Sequence, residues 1–178
     1  MTDNMGKYRA LGLSDAAELL YKSSRVLIIF HINPDGDAAG SAFALRHALE
    51  WLGKSAHCVC SASVPERLQF ICKDAQDSVA AEDLPEGFEP DLTVSVDTAS
   101  PSQMGALYDR YEGKIDLMID HHEKGSIYAD NYIDPKAAAT GEIIYRIAKK
   151  LLADGKISAI PYRAIQCIYA AVSSDTGC

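Results

Sequence analysis

No stretch of this sequence stays apolar for the ~20 residues that a bilayer-spanning helix needs. Its amino terminus, MTDNMGKYRA, lacks the apolar centre of a signal peptide. Neither a membrane span nor a secretory leader is expected, and cytoplasmic residence is. Cysteine is thinly spread: Cys58 and Cys60 flank one residue of an apolar run, while Cys72, Cys167 and Cys178 are scattered. The absence of any Cys-x-x-Cys pair speaks against a zinc ribbon or a disulfide framework and leaves reduced, structural thiols. Basic charge is also short. Against 25 Asp and Glu stand 17 Lys and Arg, a net charge of -8, the wrong sign for a generic nucleic-acid-binding surface. A small anionic substrate survives that exclusion, because bound metal ions or a few local cations can reverse the field at a site. Internal repeats and low-complexity tracts are missing as well.

What remains is a 178-residue chain that is 48% hydrophobic and 24% charged, enough for one domain with a sizeable core. Residues 14–24 read as a short helix with Ser14 as its N-cap. Val26 to Phe30 is a continuous apolar run, too short for a helix and rich in β-formers, hence a strand covered on both faces. Pro34, Gly36 and the neighbouring aspartates end it in a loop. A helix follows from about Ala39 to Leu52, with Phe43, His47 and Trp51 along one stripe and Gly53 as its terminator.

Further strands are expected at Lys54–Cys60, Leu92–Val96, Asp116–Ile119 and Asn131–Ile133. Helical pieces are expected at Pro65–Cys72 and Ser102–Tyr111. Thr140 should cap a helix carrying Ile143, Ile144, Ile147 and Leu151, and Pro161 should open a last helix to about Ser173. Strands alternating with helices imply right-handed crossovers, so the fold class is α/β: a three-layer domain with a mainly parallel five-stranded sheet flanked by helices.

The ionisable residues gather in four places: His31, Asp35 and Asp37 in HINPDGDAAGS, Asp97 in VDTAS, Asp120-His121-His122, and Asp175 in SSDTG. The first three groups each follow a strand directly. In a parallel sheet all strand carboxyl ends lie on one edge, where such folds bind their ligands. Asp35, Asp37, Asp97 and Asp175 would bring about four negative charges together, and like charges so close raise one another's pKa. Two divalent cations would compensate them. Each group also has a plainer reading as turn or cap chemistry: Asp97 as a helix N-cap, Asp175 in a helix-terminating loop. It is their coincidence on one edge that points to metal. Oxygen-rich ligands with one imidazole per ion favour Mn²⁺ or Mg²⁺, with Zn²⁺ and Co²⁺ as replacements. His47 and His57 read instead as packed, hydrogen-bonded structural residues.

With its HxxxDxD run, Asp97, Asp-His-His and Asp175 in this order, the sequence resembles the DHH phosphoesterase superfamily, in its N-terminal catalytic domain. HINPDGDAAGS, VDTAS and AATGEIIY are most similar to its bacterial oligoribonuclease (nanoRNase) and pAp-phosphatase branch. The resemblance implies that His31 and Asp35 hold one ion, that Asp37, His121 and Asp175 hold the other, and that Asp97 bridges both. His122 would face the substrate phosphate, and Asp120 would orient a histidine rather than bind metal. The implied activity is hydrolysis of short RNA or DNA oligonucleotides, pAp, or linear or cyclic dinucleotides. A hydroxide shared by two cations, Mn²⁺ foremost, would attack. A manganese-dependent inorganic pyrophosphatase and a catalytically weak, regulatory nucleotide-binding module are the alternatives. Residues 1–178 would be the DHH-type catalytic domain, without the smaller glycine-rich substrate-binding domain of the family, so activity is expected to be reduced. A homodimer is compatible with this reading.

Overall fold

The computed structural model describes residues 7–72 and 79–177. It places five parallel strands in one sheet: β1 (Arg25–Phe30), β2 (Ser55–Val59), β3 (Leu92–Val96), β4 (Leu117–Asp120) and β5 (Asp130–Ile133), in the order β2-β1-β3-β4-β5. The expected α/β architecture is present. Period-two alternation divides the strand side chains between two cores. Val26, Ile28, Phe30, Val94, Val96, Leu117 and Ile119 join the larger one, and Leu27, Ile29 and Met118 the smaller. That double burial is why β1 reads as an unbroken apolar run from Val26 to Phe30, whereas β3 alternates apolar residues with the buried Thr93 and Ser95.

The helices are α1 (Leu13–Lys22), α2 (Gly36–Trp51), α3 (Ala106–Tyr111), α4 (Thr140–Ala153) and α5 (Tyr162–Thr176). Helices α1, α2 and α4 pack in the larger core, and α3 covers the other face. α5 packs against α2 and α4, so α2 is buried almost all round from Gly36 to Leu45. Small residues allow that closeness. A Cβ at Gly40 would lie 2.6 Å from the Cys167 carbonyl and 2.9 Å from the Ala171 nitrogen, and one at Gly141 would overlap the Ala171 methyl.

Several boundaries differ from the sequence expectation, each for a local reason. The cap of α1 is Gly12 rather than Ser14, because the Asp15 carboxylate accepts the Gly12 N–H at 3.1 Å. α2 begins at Gly36 instead of Ala39, since Asp35 is its N-cap and accepts the Ala38 N–H at 3.0 Å. Trp51 does not continue the inner stripe; it is 54% exposed at the helix end. Pro65–Cys72 forms a single 3₁₀ turn at Glu66–Leu68 with turns after it, and Ser102–Tyr111 splits at Gly105 into a 3₁₀ turn and α3. Thr140 is the first residue of α4, not its cap, which is Ala139. α5 runs through to Thr176, so Asp175 sits on a helix and not in a loop.

His47 is packed as expected, with Nδ1 3.2 Å from Glu50. His57 is only partly buried, edge-on to Phe88. Cys58, Cys60 and Cys167 are buried and Cys72 partly so, while Cys178 lies outside the described residues. No helix among the described residues is long and apolar enough to cross a membrane.

Candidate metal centre

The strand order reverses between β1 and β3, and the residues that leave these two strands open the crevice that such a reversal creates. From β1 comes His31, then Asp35 at the N-cap of α2 and Asp37 in its first turn. From β3 comes Asp97, whose backbone is left-handed at φ 53, the single positive φ outside glycine among the described residues. β4 ends in Asp120 and hands on His121 and His122. Asp175 arrives from the last turn of α5. Six of these line a cleft of about 240 Å³ with Ile32, Asn33 and Gln103: His31, Asp35, Asp97, His121, His122 and Asp175. Asp37 lies beneath it, 1% exposed.

Two triads emerge, and Asp97 stands between them. His31 Nε2 is 3.6 Å from Asp35 Oδ1 and 3.6 Å from Asp97 Oδ2. His121 Nε2 is 3.3 Å from Asp175 Oδ2, 3.7 Å from Asp37 Oδ2 and 3.9 Å from Asp97 Oδ1. Within His31/Asp35/Asp97, and again within Asp37/His121/Asp175, the candidate ligand atoms all lie within 4.8 Å of one another. Donors at ~2.1 Å from an octahedral ion stand about 3 Å apart when adjacent and about 4.2 Å when opposite. The spacings of 3.3 to 3.9 Å therefore suit a hard divalent cation in each triad. The donor set is all carboxylate and imidazole, with no thiolate, a mixture that can hold a divalent cation. Asp97, His121 and His122 form a third close group. There, however, His122 Nδ1 lies 2.6 Å from Asp120 and 3.7 Å from Asp97.

Charge crowding is visible in the titration of these groups. Burial and the Asp97 charge push the Asp37 carboxyl up to about 7, although the Gly141 and Thr140 N–H groups and the Ser41 hydroxyl bond its oxygens. Burial and Asp97 also raise Asp175. Burial disfavours the His31 cation, but Asp35 and Asp97 outweigh it and raise His31 to about 9. His122 follows the same pattern: burial opposes its charge, and the Asp120 hydrogen bond prevails and raises it. Asp120, 2% exposed, accepts both the His122 N–H at 3.0 Å and Nδ1 at 2.6 Å, which fixes the ring.

The structure thus brings together every residue singled out in the sequence. It adds three that were not: Asn33 and Gln103 on the cleft wall, and Thr140, whose hydroxyl donates to Asp97 Oδ1 at 2.9 Å. Asn33 was visible inside the HINPDGD run. In the sequence Thr140 reads only as a helix cap, because nothing local shows that its hydroxyl turns to a residue 43 positions away.

The chain is 36% identical over 120 residues to the "Bifunctional oligoribonuclease and PAP phosphatase NrnA" of Thermus thermophilus, which covers 67% of this chain and 35% of that protein. It is 30% identical over 152 residues to the "Cyclic-di-AMP phosphodiesterase GdpP" of Geobacillus thermodenitrificans, covering 78% of this chain and 23% of that one. The matched segments span about a third or less of the length of these relatives. Among solved structures, an exopolyphosphatase-related protein from Bacteroides fragilis superimposes with a TM-score of 0.79. That match has 21% identity and covers 93% of this chain and 50% of the other, a likeness of fold. The family model described as "DHH family, N-terminal domain" matches residues 25–172, and the chain belongs to the DHH family.

Proposed function

We propose that this domain hydrolyses phosphate esters with the help of two divalent cations, Mn²⁺ foremost, and that its substrates are short oligonucleotides, pAp, or linear or cyclic dinucleotides. One observation carries the reading: Asp97 turns Oδ2 toward His31 and Oδ1 toward His121, so a single carboxylate serves both triads. When bound, the cations would acidify water and neutralise phosphoryl oxygens. The names of the NrnA and GdpP relatives support nucleotides as the substrate class.

The protein's own part is placement. Asp120 holds His122 through Nδ1, which leaves Nε2 for the substrate. The Asp120 hydrogen bond raises the pKa of that ring, which favours a proton available to the departing ester oxygen. Among the described residues, the cleft lining contains no lysine or arginine. The Asn33 and Gln103 amides supply neutral donors to oxygens that point away from the acids.

The test is release of mononucleotide or phosphate from a short oligoribonucleotide, pAp, and linear and cyclic di-AMP, with pyrophosphate for contrast, in Mn²⁺ and in chelator. Turnover should require Mn²⁺, and Asp97→Ala should lower it at least about 100-fold, more than loss of an indirect partner costs. Turnover indifferent to Asp97→Ala ends the two-cation proposal. Pyrophosphate outpacing every nucleotide would mark a pyrophosphatase. Tight nucleotide binding without turnover would mark a regulatory module.

A further inference from the structure

Asp97 is asked to do more than any other residue of the cleft, and its side chain has little to hold it. Its backbone is tied to β4 by donating its N–H to the Ile119 carbonyl at 3.0 Å. Its carboxylate, 3% exposed, faces His31 with one oxygen and His121 and His122 with the other. A turn about its side-chain bonds would move one oxygen away from its triad. Among the described residues, a single donor other than these imidazoles reaches that carboxylate: the Thr140 hydroxyl, 2.9 Å from Oδ1.

Thr140 is fully buried, is not among the residues of the cleft, and opens α4. Its own N–H donates to Asp37 Oδ2 at 2.7 Å, and the next N–H, of Gly141, donates to Asp37 Oδ1 at 2.9 Å. One residue thereby grips the carboxylate shared by both triads and a carboxylate of the second triad. Its position is set by the first turn of a helix whose dipole favours anions at that end. The branched Cβ restricts the hydroxyl to few rotamers. A buried hydroxyl beside two carboxylates would be wasteful if only shape were required, since valine fills the same volume.

We infer that Thr140 is a positioning residue for the two-cation centre: through its hydroxyl it fixes the rotation of Asp97, so that Oδ1 serves the His121 side while Oδ2 serves the His31 side. This rests on the two-cation reading and adds to it the residue that keeps the cations paired. Asp97 can accept the Thr140 bond and still offer each oxygen to an ion, because a carboxylate oxygen has two lone pairs.

The full chain is titrated with Mn²⁺ and followed by electron paramagnetic resonance, which distinguishes an isolated ion from a spin-coupled pair. Wild type and Thr140→Ser should both bind two ions and show the coupled signal. Thr140→Val, which keeps volume and branching, should bind the first ion normally and the second about 10- to 100-fold more weakly, as partners of metal ligands do. The coupled signal should disappear at two equivalents. If Thr140→Val does not fold, Thr140→Ala takes its place in the same titration. A coupled pair that survives removal of the hydroxyl with unchanged affinity overturns the inference, as does a loss of melting temperature with no change in the signal. A Thr140→Ser variant that behaves like Thr140→Val also overturns it. A wild-type chain that never forms a coupled pair overturns both this inference and the two-cation reading beneath it.

Discussion

The two triads are made of the same kinds of side chain but are assembled by different means. His31, Asp35 and Asp97 are delivered by the sheet: each sits at the end of β1 or β3 or in the short connection to α2. In the second triad only His121 comes from a strand end, and Asp37 and Asp175 need helix packing as well. Asp37 lies in the first turn of α2, under the amide groups of α4, and Asp175 reaches the cleft only because α5 closes onto α2 and α4. At the start of α2 the two aspartates differ sharply in exposure. The Asp35 side chain is 51% exposed, whereas that of Asp37 is 1% exposed. A strand end needs only the sheet to form. A helix-borne ligand needs two helices to meet at the right height, which makes the second triad the more demanding one to build.

The largest test of that contrast is a pair of single substitutions. Asp37→Asn should weaken binding of one Mn²⁺ at least about 100-fold while the other binds as before, and Asp35→Asn should do the same to the opposite ion. Calorimetric titration of each variant reads this directly. Two ions lost together in either variant would mean that the triads are not separable. Only Asp35→Asn should leave the metal-free melting temperature unchanged, because asparagine caps α2 as well as aspartate does.

A smaller effect is expected at Gly40, which follows Asp37 by about one turn of α2 and is not itself a ligand. By helix propensity, Gly40→Ala should stabilise by about 1 kcal/mol. The new methyl, however, would meet the Cys167 carbonyl at 2.6 Å, and overpacking of that kind costs about 1–3 kcal/mol. The variant should melt lower and bind the second ion several-fold more weakly, with the first ion unaffected, because α5 and Asp175 are pushed outward. A higher melting temperature would show that propensity wins and that α5 adjusts freely.

The smallest effect is read in protons. A cation must displace any proton on its ligands. Below about 9 His31 carries one, and below about 7 so does Asp37. Rising pH therefore favours loading of both triads, and the gain ends near 7 for the second triad but continues toward 9 for the first. Mn²⁺ calorimetry in buffers of different ionisation enthalpy should show more protons released at pH 6 than at pH 8. Equal release at the two values would contradict this.

Much of this was legible in the linear chain where single elements decide the outcome. The apolar run of β1, the Ile143/Ile144/Ile147/Leu151 stripe of α4 and the strand-end positions of His31 and Asp97 are local patterns, and the structure has them as expected. The misses lie where a distant partner overrides the local signal. Trp51 continues a helical stripe on paper but emerges at a helix end. Asp175 looked like loop chemistry because Ser-Ser-Asp-Thr-Gly is a turn-like string, yet packing against α2 carries the helix through it. Thr140 looked like a cap because threonine before a helical stripe usually is one.

Taken alone, the sequence determined that a parallel α/β domain forms and that acids and imidazoles reach one edge of its sheet, because period-two and period-3.6 burial are properties of short segments. Only the tertiary structure decided which oxygen faces which imidazole, that Asp37 is buried under the start of α4, and that Thr140 bonds Asp97. Those outcomes depend on the height at which helices cross, and helix height is set by contacts between residues, such as Gly40 and Cys167, that are far apart along the chain.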